Sequence, residues 1–492
     1  MQLHAFHGGL FLPAHKEAAA RPILSGPDTP LLVVPLLQHA GPPAEAVVQP
    51  GQRVREGEPL AQAIEPQSVS VHAPCSGRVR AIESRPLPHA SGLDGPCVLI
   101  ERGEPDLPWR LPPLDPETTD AETLRQRVAD AGIVGLGGAA FPTASKLAVP
   151  RELLIVNGAE CEPYIACDDR LMRERAADVI AGARLLQRIV AAKQALIAVE
   201  DSMLDALDAL RTALGAAGDV QLVSVPTRYP EGGEKQLIRV LTGREVPRGG
   251  LPRDIGVVVQ NVATAAAAWR AVVHGEPLTR RLVSVSGAGV AQPGVFDVLI
   301  GTPISALVEA AGGYTDVAAR LVLGGPLMGL ALPHDDFPVT KACNSVLVLG
   351  AADVRDPAPT LPCIRCGNCD RACPAQLLPQ QLFAFANAGQ WERLRDHGLF
   401  DCIECGCCDL VCPSHLPLAG TFRHAKTELR AHDRRAREAI EAKQRFEARR
   451  ERLEREAAER AARMAARRQS VTAPDAVQAA IERAKARREG ES

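Results

Sequence analysis

The chain has 492 residues, 46% hydrophobic and 23% charged, enough for about three soluble domains, each with its own core. Only 3% of residues are aromatic, which argues against a stacking platform for single-stranded nucleic acid; no nucleic-acid partner is expected. The net charge of −3 is unevenly spread: residues 421–492 hold 20 Lys and Arg against 13 Asp and Glu, leaving 36 against 46 in the first 420. Met1 to Pro13 lacks the basic start and apolar run of a secretory signal. No apolar stretch reaches the ~18 residues of a membrane span; Leu321–Leu332 and Val257–Val273 are broken by Gly, Pro or Arg270. The expectation is a chain that is soluble, or peripheral to a membrane through partners. Eight of the 14 Cys fall in two tight clusters, which suits a reducing, cytoplasmic setting better than a disulfide framework.

Residues 1–105 read as a β-rich module, with Pro and Gly punctuating the short apolar runs Leu31–Leu37, Ala46–Val48, Ser68–Val71 and Val98–Ile100. The stretch VVQPGQRVREGEPLAQAIEPQSVSVHAPCSGRVRAI resembles a biotinyl/lipoyl-type barrel-sandwich hybrid, but its tip, Ile64 to Val71, has no Lys to modify. A docking or structural role is expected. Past a Pro-rich linker at 105–116, residues 117–275 alternate strands (Leu153–Val156, Ala195–Val199, Val220–Val225) with helices near Asp169–Ala192 and Ser202–Ala213. That order predicts βαβ units with a parallel sheet. Residues 281–350 return to short strands with Gly-rich turns and resemble a small β-grasp soluble-ligand-binding domain, expected to pack rather than react. The cysteine clusters lie in 355–420. Residues 421–492 form a charged tail: helical to about 470, with a disordered segment or tether expected from Gln469 onward.

CIRCGNCDRACP sets Cys363, Cys366, Cys369 and Cys373 at C-x2-C-x2-C-x3-C-P spacing, and CIECGCCDLVCP repeats it with Cys402, Cys405, Cys408 and Cys412. Three thiolates two residues apart wrap one face of a 4Fe–4S cubane, and the fourth Cys of each run ligates the other cluster in two-cluster ferredoxins. One cluster is therefore assigned Cys363, Cys366, Cys369 and Cys412, the second Cys402, Cys405, Cys408 and Cys373. Soft thiolates also suit zinc, but zinc gives no reason to duplicate an eight-Cys pattern with Pro after each fourth Cys. Cys407 breaks the register. Cys75, Cys97, Cys161, Cys167 and Cys343 lack ligand spacing. A cluster pair moves single electrons and needs a donor site, which the middle domain should supply.

Ala131–Lys146 reads AGIVGLGGAAFPTASK. Its glycines allow close backbone approach to a ligand, and free N–H groups can cradle phosphate, though the pattern is neither a Walker loop nor a dinucleotide fingerprint. GLGGAAFPTASK, NGAECEP (157–163), YPEGGEKQL (229–237) and VVVQNVAT (257–264) follow one another in that order. Together they resemble the flavin-bearing, NADH-oxidising subunit of respiratory complex I. With the barrel, the β-grasp-like region and the double cluster, residues 1 to about 420 resemble the RnfC (RsxC) family. That family is the peripheral subunit of the Rnf ion-translocating ferredoxin:NAD oxidoreductase.

The fold class expected is multidomain α/β plus β. It comprises a barrel-sandwich N-terminal domain, an α/β flavin domain, a β-grasp-like domain, a double-cluster ferredoxin-like helical domain and a helical basic tail. The resemblance implies flavin mononucleotide (FMN) held by Gly135, Gly137, Gly138, Lys146, Asn157, Tyr229, Gly232, Asn261 and Thr264. It places Phe141 against nicotinamide and Glu162 and Glu234 near the NADH nucleotide. Leu136, Ala159 and Gly233 depart from the pattern, which has Arg, Asp and Glu there, and each removes a polar contact. The implied activity is hydride exchange between NADH and flavin, then single-electron relay through two 4Fe–4S clusters to membrane partners, with ferredoxin reached through the complex. The expected location is the cytoplasmic side of the cell inner membrane, held by integral and peripheral Rnf subunits. Alternatives are a cobalamin reductase-like enzyme, whose barrel would follow the clusters, a soluble NADH diaphorase, or a non-catalytic cluster-bearing docking subunit.

Overall fold

The computed structural model describes residues 2–65, 67–89, 91–216, 218–354, 359–472 and 474–490. Contacts divide the chain into Met1–Phe422 and Arg423–Ser492.

The N-terminal strands are β1 (Leu24–Ser25), β2 (Leu31–Pro35), β3 (Glu45–Ala46), β4 (Arg53–Val54), β5 (Pro59–Gln62), β6 (Val71–His72), β7 (Gly77–Pro86) and β8 (Asp94–Arg102). Two small antiparallel sheets, β2-β8-β7-β4 and β3-β5-β6, contribute to one hydrophobic core. Alternation sends Leu32 and Val34 inward opposite Ile100 and Val98, with Val54, Leu60, Val71 and Val79 filling the space between. β1 does not join them; it pairs in parallel with a strand 272 residues further on, Leu24 opposite Phe296.

The middle region contains α1 (Ala121–Asp130), α2 (Thr143–Lys146), β9 (Leu153–Gly158), α3 (Cys167–Glu174), α4 (Ala176–Ile189), β10 (Gln194–Glu200), α5 (Leu204–Leu214), β11 (Gln221–Val225), α6 (Glu234–Thr242), β12 (Val257–Asn261) and α7 (Val262–Val273). The strands form an all-parallel sheet in the order β11-β10-β9-β12. Their near-continuous apolar runs are those of strands covered on both faces. Leu154, Val156, Ile197, Val199 and Val258 meet α4 and α7, and the residues between them, Leu153, Ile155, Leu196, Ala198, Val257 and Val259, meet α6. Phe6, from the first residues of the chain, joins that second face. The single helix expected near Asp169–Ala192 is two helices. Arg175 between them leaves helical geometry at φ −128°, ψ 36°, and its guanidinium reaches Asp297 at 2.7 Å.

Next come β13 (Arg280–Ser286), β14 (Gly294–Leu299), α8 (Ile304–Ala310), β15 (Ala318–Leu323), β16 (Leu330–Leu332) and β17 (Ser345–Gly350). With β1 they make a mixed sheet, β1-β14-β13-β17-β15-β16. A buried Lys341 ties three regions together, its Nζ donating to the carbonyls of Ser70 (2.8 Å) and Gly132 (2.7 Å).

The cysteine region is helical: α9 (Asn368–Ala372), α10 (Pro379–Asn387), α11 (Trp391–Asp396) and α12 (Cys407–Leu410). It is a structural repeat with an offset of 39 residues. Left-handed backbone recurs at Arg365 and Glu404, at Gly367 and Gly406, and at Gln376 and His415. The halves embrace, Leu361 N donating to Ser414 O and Ser414 Oγ to Pro362 O, both 3.0 Å.

The C-terminal unit continues α13 (Leu418–Thr472) and adds α14 (Pro474–Glu489). The segment expected to be disordered from Gln469 onward is thus helical at 474–489. Its Ala, Arg, Gln and Glu content favours helix, and Pro474 and Asp475 suit a helix start. The charges of α13 pair along that helix, as in Arg445–Glu441 and Arg463–Glu459.

Candidate functional site

Parallel sheets offer ligand sites beyond the C-terminal ends of their strands. Here β9 ends at Asn157 and Gly158, β12 at Asn261, and the loops that follow converge with the glycine loop. Asn261 caps α7 through Oδ1, which accepts from Ala263 N at 2.8 Å. Its Nδ2 donates to Asp168 at 2.5 Å. Thr264 Oγ1 accepts from Leu136 N at 2.8 Å, fixing the glycine loop to α7. Asn157 donates to Gly232 O at 2.9 Å, joining the 157–163 and 229–234 loops. Lys146 pairs with Glu234 at 2.6 Å. The loop tip at Gly137 and Gly138 is exposed. Gly138, at φ +101°, has open space where a side chain would stand, and a Cβ on Gly137 would touch Asn261 at 3.4 Å. That is a backbone cradle of the kind a flavin phosphate needs. Gly135 is turned inward, its N–H bonded to Phe141 O at 2.8 Å, while Phe141 itself is half-buried.

Not every residue of the resemblance is open. Glu162 Oε1 accepts from the amides of Leu327 and Met328, both at 2.9 Å, so a loop between β15 and β16 clamps it, and burial raises its pKa. Leu136, at the first departure from the pattern, is buried, its carbonyl bonded to Arg281 at 2.9 Å. The Tyr229 ring is 3% exposed and its hydroxyl donates to Cys405 O at 2.7 Å.

Sequence reasoning missed several supporting residues. Lys16 donates to the carbonyls of Glu160, Glu162 and Ile165, holding the whole 160–165 turn. Glu160 accepts from the amides of Asp168 (3.0 Å) and Asp169 (3.3 Å), neutralising the start of α3. Burial raises the pKa of Glu160 and carries Asp168 to about 7. Nothing in a short H-K or C-D-D run announces such contacts; only the fold assembles them. Burial likewise raises Cys75 to about 11 and Cys97 and Cys343 to about 12, leaving them inert packing thiols.

Packing links the two runs: Cys405 is buried beside Ala372, the neighbour of Cys373 in the chain. The Leu361–Ser414 and Ser414–Pro362 bonds bring the chain beside Cys412 to the chain beside Cys363. Among the described residues one group of three or more His, Cys, Asp or Glu ligand atoms lies within 4.8 Å of one another, Glu160, Cys167 and Asp168, and it is already hydrogen-bonded to its own helix. Cys407 is fully buried beside Tyr229, Ala372 and Cys405, a packing residue.

A flavin-type cradle on a parallel sheet, packed against a two-fold repeat of cubane loops, defines an electron-transfer protein of the iron–sulfur flavoprotein class. Comparisons with known proteins agree domain by domain. Residues 4–104 match the RnfC barrel sandwich hybrid domain, 128–270 the Nuo51 FMN-binding domain, 282–331 the SLBB domain and 362–416 the 4Fe-4S dicluster domain. A subunit of the ion-translocating oxidoreductase complex of Pseudomonas aeruginosa is 46% identical over 512 residues, covering 100% of this chain and 66% of the relative. Its counterpart in Pectobacterium atrosepticum is 44% identical over 494 residues, covering 99% and 71%. A solved NAD+-reducing NiFe hydrogenase in its air-oxidized state is 25% identical, covering 57% of either chain at a TM-score of 0.44. The chain thus spans about two thirds of the length of the curated relatives it matches. It belongs to the RnfC family of ion-translocating oxidoreductase complexes.

Proposed function

We propose that this chain is the peripheral, NADH-facing electron relay of a membrane complex that couples electron transfer between NAD(H) and ferredoxin to ion translocation. The observation that carries the reading is the direct junction of the two sites: Tyr229, in a loop assigned to flavin, hydrogen-bonds the loop of the second cluster. The proposed domains are 1–105, 117–275, 281–350, 355–420 and 421–492, as the sequence suggests; 355–358 lie outside the described residues.

FMN is assigned to Gly135, Gly137, Gly138, Lys146, Asn157, Tyr229, Gly232, Asn261 and Thr264, with NADH against Phe141, Glu162 and Glu234. The two 4Fe–4S clusters are assigned the crossed sets given above. When bound, flavin exchanges a hydride with NADH and the clusters accept its electrons one at a time. The protein's part is positional. The cradle at 137–138 admits phosphate to backbone amides, and the Lys146–Glu234 pair supplies opposite charges at its flank. Asn157 and Asn261 lock the surrounding loops, and the apolar plug around Tyr229 and Cys407 keeps water out of the junction.

The second cluster set, with Cys373, Cys405 and Cys408 buried, faces the flavin domain, whereas Cys363 and Cys366 of the first are exposed. The second set is thus the one nearer the flavin domain, and the first the one open to a partner. No helix among the described residues is long and apolar enough to cross a membrane. Attachment to the cytoplasmic face of the inner membrane through integral subunits is part of the same proposal.

The test is composition with turnover. Anaerobically purified chain should carry about one FMN and two cubanes, about eight irons, and reduce an artificial acceptor with NADH. Stoichiometric zinc, or two cubanes without flavin, would end the reading.

A further inference from the structure

The first residues of the chain take part in the junction. Leu10 and Tyr229 exchange both backbone hydrogen bonds, Leu10 N to Tyr229 O at 2.7 Å and Tyr229 N to Leu10 O at 2.9 Å. One residue earlier, Gly9 N donates to Ala372 O at 3.0 Å, and His7 Nδ1 lies 3.0 Å from Cys373 O. A carbonyl only accepts, so Nδ1 carries the proton in that bond. The passage is narrow: a Cβ on Gly8 would fall 2.6 Å from Ala372 O and 2.7 Å from the Cys373 carbonyl carbon. From the other side, Tyr229 donates its hydroxyl to Cys405 O at 2.7 Å.

We propose that His7 and Tyr229 are positioning residues for the second cluster, donating to the main-chain carbonyls of two of its four assigned ligands, Cys373 and Cys405, and so setting its reduction potential. The proposal rests on the cluster assignment above. Reduction adds an electron to a cubane. Each donor leaves a partial positive charge facing the ligand backbone, and around Tyr229 little water is present to screen it. Both donors therefore favour the reduced cluster, and their removal makes it harder to reduce. Tyr229 acts on the cluster whatever it contributes to flavin, because its hydroxyl is engaged by Cys405.

The experiment is a redox titration of the full-length, cluster-loaded chain followed by electron paramagnetic resonance. It is repeated in a Cys366→Ala background, where the remaining cubane signal is that of the second cluster. Tyr229→Phe keeps the ring in the plug and removes only the hydroxyl. It should shift the reduction equilibrium of the second cluster toward the oxidised form by up to about tenfold, or ~59 mV for one electron, with iron content unchanged. His7→Ala, at an exposed position, should give a smaller shift of about twofold in the same cluster, and His7→Asn, which keeps a donor at the place of Nδ1, should restore it. Unmoved or raised potentials in both Tyr229→Phe and His7→Ala, or a shift confined to the first cluster, overturn the proposal. Should Tyr229→Phe lose iron, the His7→Ala and His7→Asn pair decides by the same criterion. A wild-type chain without two cubane signals overturns the cluster assignment and this proposal together, whereas two signals with unmoved potentials overturn this proposal alone.

Discussion

The loops at 363–373 and 402–412 have the same cysteine spacing and the same left-handed turns 39 residues apart, yet they live in different surroundings. Cys363 and Cys366 face solvent beside the exposed Leu361 and Ile364, while Cys408 is buried and Cys405 is buried near Tyr229, Leu10 and Leu327. Local sequence fixes how a loop wraps a cubane. Which cubane is the inner station and which the outer is decided by chain segments hundreds of residues away. Two copies of one motif thus become two different stations.

The sharpest way to break that comparison is to remove one ligand from each loop. Cys366→Ala and Cys405→Ala should each cost about four of eight irons. Cys405→Ala should also lower the melting temperature, because it empties a buried site, while Cys366→Ala leaves it nearly unchanged. Cys373→Ala should behave like Cys405→Ala despite its place in the first motif. Spectra showing the 363–369 cluster damaged by Cys373→Ala would refute the crossed pairing.

The surroundings of the inner loop also respond to pH. Burial raises Glu200 to about 7 and Glu231 to about 8, from an ordinary value of 4.5. Between 4.5 and those values the folded chain holds protons that the unfolded chain has released. Their stabilising contribution is complete below about pH 4.5 and is lost as pH rises through 7 to 8. The double variant Glu200→Gln, Glu231→Gln should therefore be more stable than wild type at pH 8.5, by several kcal/mol and at most about 8 kcal/mol, and nearly equal at pH 4.5. Calorimetry across that range checks it; a parallel pair of curves would show the two carboxyls ionise normally.

Smaller effects sharpen the contrast. Gly8→Ala forces a side chain into φ +65° and against Ala372, costing about 1–2 kcal/mol from the backbone alone. Chelator challenge should then strip the second cluster faster and the first at its wild-type rate. Phe141→Ala should weaken NADH use by on the order of 1 kcal/mol while flavin retention holds, measured as KM beside flavin content; equal losses would make Phe141 a packing residue. The smallest effect is expected from the tail. Deleting 433–492 should leave iron, flavin and NADH oxidation unchanged, and membrane attachment nearly so.

How much of this is legible in the sequence follows from the range of the interactions. The double-cluster domain can be read because its cysteine spacing recurs along the chain, and the 4Fe-4S dicluster match over 362–416 falls on both runs. The parallel sheet can be read because its strands, covered on both faces, are apolar throughout. The flavin segments can be read only as a set in order, since each alone is a turn. The roles of His7, Gly8 and Lys16 cannot be read: their partners lie 366 and about 150 residues on, and neither periodicity nor spacing reaches that far. For the same reason Leu24–Ser25, which the sequence places in the barrel region, is an edge strand of the β-grasp-like sheet. The tail after Gln469 departs from expectation for a different cause, since helix propensity alone suffices for α14 without any core.

The strap formed by residues 7–10 also orders events in time. A ribosome adds about 5–20 residues per second, so the strap is made roughly 20–70 s before Ala372 and Cys373 exist to receive it. Through that interval the sheet can form, but the second iron centre cannot be clasped from both sides. On the proposed assignment the inner cluster is completed late in synthesis, and trimming near residue 7 should be felt at a site encoded more than 350 codons downstream.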